Sequence, residues 1–244
     1  MPSVVDTPHG KIRFLNHGRA SRRQVRKIMS REPDPMKWIY TMAPGSVFWD
    51  IGANVGMFTL YAATRGELEV RAFEPAAVNY YNLVANCELN HLEDRVRCLQ
   101  LGFGHTHKIV NLHVSQLMPG RSFTFKESKK PDRKRKNFPS IQAVQLWTID
   151  RFIARYGAPC PNYLKIDVPG FTQQVLAGAW KTLANPALRQ IQVETKENKG
   201  GRRIAELLAQ LGFKPVGPEM RHERQVQREL VFARDVSSFN DLAA

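Results

Sequence analysis

The sequence has few cysteines and no long apolar run, and both shortages narrow the classes of protein to which it can belong. Its three cysteines, Cys87, Cys98 and Cys160, lie far apart along 244 residues. This odd number and wide spacing indicate neither a disulfide framework nor a zinc cluster, so we expect reduced thiols in a cytoplasmic protein. No apolar run approaches the roughly 20 residues that span a bilayer, so no transmembrane segment is predicted.

Acidic residues are also scarce relative to basic ones. The chain has 22 Asp and Glu against 36 Lys and Arg, which gives a net charge of +14 and a pI near 10.0. Such a charge attracts polyanions through its field rather than through a specific site. Nucleic acid, an anionic surface or a phosphorylated substrate is therefore compatible with the charge, as is a solvated basic surface without a dedicated partner. The oligomeric state is not predicted.

The chain is organised as one large domain with a peripheral N-terminus. Residues 1–40 form an N-terminal extension with a hairpin around His9 and Gly10, and we expect this extension to pack on or cover the core. The main domain covers 41–236, and 237–244 form a C-terminal tail. Within the main domain, 126–136 form a basic run without an apolar face, which predicts a surface loop.

From Gly45 onward, strand and helix patterns alternate, which predicts an α/β protein with a mainly parallel sheet. Two late strand candidates follow the last helix and fit an antiparallel hairpin at one end of that sheet. The predicted strands are 46–50, 69–73, 96–101, 109–114, 143–146, 163–168, 188–194, 214–216 and 230–233. The predicted helices are 57–63, 79–89, 149–156, 171–183 and 202–211.

A glycine-containing loop, 50–56, connects the first strand of this pattern to a helix. Ligands of open parallel sheets bind at the carboxyl ends of the strands, which is where this loop lies. Gly52 and Gly56 lack a Cβ atom, so the backbone can turn sharply and approach a ligand closely. The helix that follows offers free N–H groups. A chance pair of glycines at a strand–helix junction is the alternative.

Glu74 strengthens the ligand-binding interpretation. It ends the second strand, about twenty residues beyond the glycines, where a carboxylate can accept two hydrogen bonds from a ribose. Nicotinamide cofactors use the same layout, but the Gly52-x-x-x-Gly56 spacing differs from the Gly-x-Gly-x-x-Gly of dinucleotide folds. We therefore expect a ribose-bearing ligand that is not a dinucleotide.

Two further carboxylates end later strands, and both are candidates for catalysis. Asp167 and Glu194 should emerge at the same sheet edge, where either could orient a substrate hydroxyl or accept its proton. Alternatively, Asp167 has no catalytic role and caps the helix that begins near Phe171. Glu194 has a similar alternative, in which its role is only structural. Lys165 alternates away from the site and is expected to be exposed.

Histidines and tryptophans give weaker signals. His105 and His107 could hold a metal, but no third ligand is visible from the spacing, so a loop role is preferred and no metal is predicted. Trp49, Trp147 and Trp180 are predicted to be core residues rather than stacking platforms.

Several of these segments together resemble the FkbM-type methyltransferase family. They are 48–56 with its Gly52-Ala53-Asn54 version of the loop, 72–75, Asn86 with Asn90, 164–170 and Glu194 after its apolar strand. The resemblance runs from about residue 44 to 194, with a continuation to 234. The Gly-Ala-Asn loop and the Lys165-Ile166-Asp167-Val168 segment are its most specific parts.

The resemblance implies an S-adenosylmethionine-dependent O-methyltransferase. Its fold would be that of a Rossmann-like class I methyltransferase, a mainly parallel seven-stranded sheet with helices on both faces. Family members act on hydroxyls of polyketide-type products and sugars, which implies a small-molecule or glycan acceptor. By position, the loop residues Asp50, Gly52, Asn54 and Gly56 would face the methionine part of the cofactor. Glu74 would face the ribose and Asp167 the transferring methyl group, with Glu194 as a reserve catalytic residue.

The chain departs from the family pattern at Pro169, where members usually carry glutamate. A carboxylate that could bind substrate or assist proton transfer is therefore missing, and proline restricts the backbone on either side of it. Two other interpretations stay open. The first is an RNA methyltransferase that uses the basic surface, and the second is a catalytically impaired cofactor-binding protein.

Overall fold

A computed structural model describes residues 2–15, 33–114, 119–120, 124–125, 140–196, 198–221 and 227–234. The basic run 126–136 and the tail 237–244 lie outside these residues. The strands are β1 (Ser3–Thr7), β2 (Gly10–Phe14), β3 (Val47–Ile51), β4 (Glu69–Phe73), β5 (Val96–Leu99), β6 (Gly102–Phe103), β7 (Lys108–Val114), β8 (Thr124–Phe125), β9 (Ser140–Trp147), β10 (Tyr163–Ile166), β11 (Gln190–Lys196), β12 (Lys214–Arg221) and β13 (Gln227–Ala233). The helices are α1 (Pro33–Tyr40), α2 (Met57–Thr64), α3 (Ala77–Leu89), α4 (Ile149–Tyr156), α5 (Thr172–Ala177), α6 (Trp180–Ala184) and α7 (Lys199–Gln210).

Seven of the described strands form the central sheet, in the order β12-β13-β11-β10-β3-β4-β5. The five strands from β11 to β5 are parallel to one another, whereas β13 is antiparallel to both β11 and β12. The sheet is therefore mixed, and a fully parallel sheet is excluded. A short connection cannot make the crossover that parallel neighbours require, so β13 runs back along β12. The late hairpin predicted from the sequence is confirmed.

Helices cover both faces of this sheet. On β3, Phe48 packs in a cluster with residues of α1, α2 and α3, whereas Trp49 packs in a second cluster with residues of α4, α5, α6 and α7. Successive side chains of a strand point to opposite faces, so these two clusters lie on the two sides of the sheet. Both faces of the central strands are consequently buried.

Four other described strands form a second sheet, in the order β6-β9-β7-β8. Strand β7 lies between β9 and β8 and pairs antiparallel with both, so the predicted strand 109–114 is present. The sequence pattern did not separate this sheet from the central one, because a strand's own residues do not identify its partners.

The predicted helix 171–183 is divided into α5 and α6. Gly178 lies at the break, where a Cβ atom would be 2.0 Å from the carbonyl oxygen of Gly104. The break thus falls at a glycine that this close contact requires, although the apolar spacing of 171–183 predicted one continuous helix.

The N-terminal hairpin of β1 and β2 packs against the face that carries α2 and α3. Its buried side chains are Val5, Ile12 and Phe14, and all three belong to the hydrophobic cluster on that face. Within the described parts of the chain, no helix combines the length and the apolar character needed to cross a bilayer.

Candidate active site

The loop 50–56 is folded tightly against the ends of its neighbouring strands. The N–H groups of Gly52 and Ala53 donate to the carbonyl of Phe73, at 2.9 and 3.1 Å. Gly52 has a φ of +83°, and a Cβ there would lie 2.1 Å from the carbonyl oxygen of Asp167. Glycine is therefore required for the loop to meet the end of β10.

The second half of the loop is held by equally close contacts. Gly56 has a φ of +92°, and a Cβ there would be 2.6 Å from side-chain atoms of Leu60 and Leu83. Asn54 also has a positive φ, of 55°, and its side-chain oxygen is buried and accepts no hydrogen bond from the described residues. Packing against the Asp167 backbone requires glycine at Gly52, whereas at Gly56 the positive φ favours glycine more than the contacts with the flexible leucine ends do.

Glu74 lies directly beside the loop. Its Oε2 accepts from the Asn54 N–H at 2.9 Å and its Oε1 from the Ala76 N–H at 2.8 Å. Burial raises the pKa of Glu74 to about 7, and the charges of Asp50 and Asp167 add to the rise. Each oxygen keeps a lone pair, so the carboxylate can still accept two hydroxyl donors.

Asp50 is fully buried and joins the loop to two other elements. Its Oδ2 accepts from the Thr59 hydroxyl of α2 at 2.7 Å, and its Oδ1 lies 3.3 Å from Nζ of Lys165 on β10. The carboxylate therefore has its partners within the protein, and it holds β3, α2 and β10 in fixed positions.

Lys165 is buried rather than exposed, which corrects the expectation from strand alternation. Its side chain is 2% exposed, lies 3.1 Å from Oδ2 of Asp167 and packs 4.4 Å from the centre of the Phe58 ring. Burial alone lowers the pKa of Lys165, but the charges of Asp167 and Asp50 outweigh it, so the pKa is raised. The alternation of side chains along a strand predicts an exposed residue only where one face of the sheet is open to solvent. Helices cover both faces of this sheet, so Lys165 is buried.

Asp167 and Glu194 come together at the edge of the sheet. The Asp167 side chain is 32% exposed, and its carboxylate is hydrogen-bonded to the carboxyl group of Glu194. Burial, together with the charge and hydrogen bond of Asp167, raises the pKa of Glu194 to about 8. Glu194 therefore keeps its proton more readily than an ordinary carboxyl group and can donate it in a hydrogen bond to Asp167. Among the described residues no side chain caps α5, so the capping alternative for Asp167 is wrong.

A cleft of about 310 Å³ opens beside Glu194. Its walls come from the end of β11, the turn after β10, the start of α5 and the start of α7, and they are about equally polar and apolar. Of the described residues that line it, Glu194 alone carries an ionisable group. The lining residues are Pro169, Gly170, Thr172, Gln173, Gln174, Glu194, Asn198, Gly200, Gly201 and Ile204. No sequence pattern had indicated the part of the cleft that α7 contributes.

The predicted positions of the histidines and tryptophans can be compared with the structure. The described residues contain no cluster of three or more His, Cys, Asp or Glu side chains placed to hold a metal ion, and the His107 ring stacks on Trp147 with centroids 3.9 Å apart. Trp49 and Trp147 are buried as predicted, but Trp180 is 58% exposed, because it begins α6 with its side chain turned outward.

The fold is similar to that of several S-adenosylmethionine-dependent methyltransferases. The crystal structure of methyltransferase FkbM from Methylobacillus flagellatus KT aligns with a TM-score of 0.55 and 14% identity, over 78% of this chain and 43% of that chain. A SAM-dependent methyltransferase from Agrobacterium tumefaciens gives a TM-score of 0.54 and 12% identity, over 96% and 70%. TrmK from M. capricolum, in complex with S-adenosylhomocysteine, gives 0.51 and 8%, over 84% and 70%. These likenesses establish a Rossmann-like methyltransferase fold, and the chain spans less than half the length of the first of these proteins.

Sequence relatives support a closer relationship. Methyltransferase sdnD from Sordaria araneosa is 30% identical over 67% of this chain and 72% of its own length. Methyltransferase 1 from Beauveria bassiana is 29% identical over 71% and 76%, and 31-O-demethyl-FK506 methyltransferase FkbM from Streptomyces tacrolimicus is 27% identical over 70% and 72%. The family model of the methyltransferase FkbM domain matches residues 50–215. The chain therefore belongs to the FkbM methyltransferase family.

Proposed function

We propose that this chain transfers a methyl group from S-adenosylmethionine to a hydroxyl of a sugar, glycolipid or polyketide-type acceptor. The observation that carries the proposal is the position of Asp167 between the glycine loop and the cleft. Its carbonyl lies against Gly52, and its carboxylate is hydrogen-bonded to Glu194, which lines the cleft. A donor bound at the loop and an acceptor bound in the cleft would meet at this carboxylate.

The described residues fit S-adenosylmethionine. Gly52 lets the loop pack against the end of β10, and the Asn54 oxygen beside it is buried without a donor among the described residues. The lone pairs that Glu74 retains suit the two hydroxyls of a ribose. Asp50, whose partners are Thr59 and Lys165, would support this site by fixing the loop.

When bound, S-adenosylmethionine supplies an electrophilic methyl group, so the protein mainly has to align the acceptor and exclude water. The Asp167 carboxylate would accept a hydrogen bond from the acceptor hydroxyl and take its proton as the oxygen is methylated. Lys165 holds the Asp167 carboxylate in place at 3.1 Å. Glu194, carrying a proton, would also hold Asp167 in place by donating a hydrogen bond to it.

The lining of the cleft supports a neutral hydroxylated acceptor. Thr172, Gln173 and Asn198 already bond to backbone groups of Glu194, Gly200 and Gly201, and the donor and acceptor capacity that their hydroxyl and amide groups retain can bind hydroxyls. Pro169 replaces the acid that the family pattern has there, so Glu194 is left as the acid of the cleft. The name of the Streptomyces tacrolimicus relative specifies an O-linked methyl, which also favours oxygen.

An RNA acceptor is the second candidate, and the net charge of +14 favours it. Phosphate contacts from Lys and Arg would make RNA binding fall steeply with salt. However, the described lining of the cleft includes no lysine or arginine. A gel shift with RNA at two salt concentrations separates the candidates, and no binding at low salt removes RNA as the acceptor.

The decisive experiment is a methyl-transfer screen with methyl-labelled S-adenosylmethionine against sugars, glycolipid precursors, polyketides and RNA. We expect label in a hydroxylated small molecule. Asp167→Asn should reduce transfer about 100-fold, within the range for loss of a general base, while cofactor affinity changes less than about 3-fold. Equal losses of transfer and affinity would contradict the role of Asp167. Cofactor binding with no acceptor methylated would instead support a catalytically impaired binding protein.

A further inference from the structure

We infer that Asn86 is a positioning residue that couples the N-terminal hairpin to the cofactor loop. Docking of β1 and β2 and binding of the cofactor would then stabilise each other. The inference rests on the proposed use of S-adenosylmethionine. It concerns a residue of α3 rather than the candidate catalytic residues Asp167 and Glu194.

The side-chain amide of Asn86 bonds to both segments at once. Its Nδ2 donates to the carbonyl of Val55 in the cofactor loop at 2.8 Å, and its Oδ1 accepts from the N–H of Leu15 after β2 at 2.8 Å. The residue is buried, so water competes weakly for these two bonds. A single rigid amide plane therefore fixes the distance between hairpin and loop.

Asn90, one turn later on α3, fastens the hairpin to the same helix. Its Oδ1 accepts from the Arg13 N–H and its Nδ2 donates to the Arg13 carbonyl, both at 2.7 Å. The same Nδ2 lies 2.7 Å from the carbonyl oxygen of Asn86. The amide of Asn90 thus pairs with β2 in the manner of a neighbouring strand and sets the position of Leu15 relative to α3.

On the loop side, the bond from Asn86 reaches the residues proposed to hold the cofactor. Val55 lies between Asn54 and Gly56, and the Gly56 N–H donates to the Ala53 carbonyl at 2.9 Å, which closes a tight turn. The Asn54 N–H in that turn donates to Glu74. Displacing the Val55 carbonyl would therefore displace the donor that orients the Glu74 carboxylate.

Coupling of this kind is reciprocal. If docking of the hairpin raises the affinity for the cofactor, the cofactor must favour docking by the same factor. Both directions can be measured with S-adenosylhomocysteine, so the test requires no knowledge of the acceptor.

The variant Asn86→Asp should lose the bond to the cofactor loop and keep the bond to the N-terminal hairpin. Aspartate has nearly the same shape and still accepts from Leu15, but it presents an acceptor to the Val55 carbonyl. The matched control is Asn82→Asp, one turn earlier on α3, because Asn82 is also buried and its Nδ2 donates to Val78 within the helix at 2.7 Å. Calorimetry should show at least about a 10-fold loss of S-adenosylhomocysteine affinity for Asn86→Asp and less than about 3-fold for the control.

Hydrogen exchange tests the reverse direction, first in the wild-type chain and then in Asn86→Asp. We expect S-adenosylhomocysteine to slow amide exchange in residues 2–15, and to lose this effect in Asn86→Asp. Unchanged exchange in the wild type, or equal affinity losses in the two variants, would overturn the coupling and leave the proposed function intact. If the wild type does not bind S-adenosylhomocysteine, the proposed function fails, and the coupling fails with it.

Discussion

Among single residues, Lys165 has the largest influence on the charge of the site. Its ammonium group faces Asp50 and Asp167, and it lies on the same sheet face as Asp50 because the two residues are in register on adjacent parallel strands. One buried cation between two carboxylates leaves net negative charge beside the loop. This charge suits a ligand with a positive sulfonium group.

Lys165→Met should destabilise the fold by about 3–5 kcal/mol, because it leaves the fully buried Asp50 carboxylate without its cation. Urea unfolding at pH 7 measures the loss. Lys181→Met, which removes an exposed lysine on α6, is the control and should cost less than about 0.5 kcal/mol. Similar losses for the two variants would contradict the structural role of the buried ammonium.

Glu74→Gln should weaken binding of S-adenosylhomocysteine at least about 10-fold. An amide has one acceptor oxygen, whereas the N–H groups of Asn54 and Ala76 each bond to a separate oxygen of Glu74. Calorimetry measures the affinity, and Glu93→Gln, at an exposed position, is the control. Equal affinities for wild type and Glu74→Gln would remove Glu74 from the cofactor site.

The same carboxyl group predicts how cofactor binding depends on pH. Its pKa in the free protein is about 7, and ribose hydroxyls that donate to it favour the ionised form. Binding near pH 7 should therefore release protons, and the affinity should rise between pH 6 and 8. Calorimetry in buffers of different ionisation enthalpy measures the release, and proton uptake would contradict the geometry proposed for the ribose.

Secondary-structure elements were predicted well where the pattern is local and poorly where distant contacts decide. Helix α4 has the predicted bounds, and Thr148, immediately before it, caps it by accepting from the Arg151 N–H. In contrast, the break between α5 and α6 depends on Gly104, which is distant in sequence. Elements whose ends are set by their own residues can thus be read from sequence, and those set by a neighbour cannot.

Gly178→Ala should be costly because of this contact. The φ of Gly178 is ordinary, so the cost comes from a Cβ only 2.0 Å from a carbonyl oxygen, and we expect a loss of about 3 kcal/mol. Gly157→Ala is the comparison, since its φ is +59° with open space around the added Cβ, and it should cost about 1 kcal/mol. Urea unfolding that ranks the two variants in the opposite order would show that α5 and α6 can separate from Gly104.

For the whole molecule, the parallel strand ends explain why much of the site could be predicted. Glu74, Asp167 and Glu194 were expected at one edge because the carboxyl ends of parallel strands meet there, and the structure brings Asp167 and Glu194 into hydrogen-bond contact. Their catalytic and binding roles remain predictions. The burial of Lys165 and the bridge through Asn86 depend on both sheet faces being covered, and no local pattern encodes that.

The stability of the whole chain should fall as the pH rises from about 5 to about 8. Glu74 and Glu194 have pKa values of about 7 and about 8 in the folded protein, above the ordinary value, so the folded state holds protons that the unfolded state has released. Their stabilising contribution is complete below the ordinary pKa and is lost as the pH rises through the folded values. Urea unfolding should show a smaller loss between pH 5 and 8 for Glu74→Gln than for the wild type, and identical losses would contradict these raised pKa values.

In the proposed complex, the loop 50–56 and Glu74 hold S-adenosylmethionine with its methyl group directed toward Asp167. A crystal structure of the full chain with S-adenosylhomocysteine tests this arrangement. We expect both ribose hydroxyls within hydrogen-bond distance of the Glu74 carboxylate and the sulfur atom at the side of the site that carries Asp167 and the cleft. A ligand bound elsewhere, or a ribose turned away from Glu74, would contradict it.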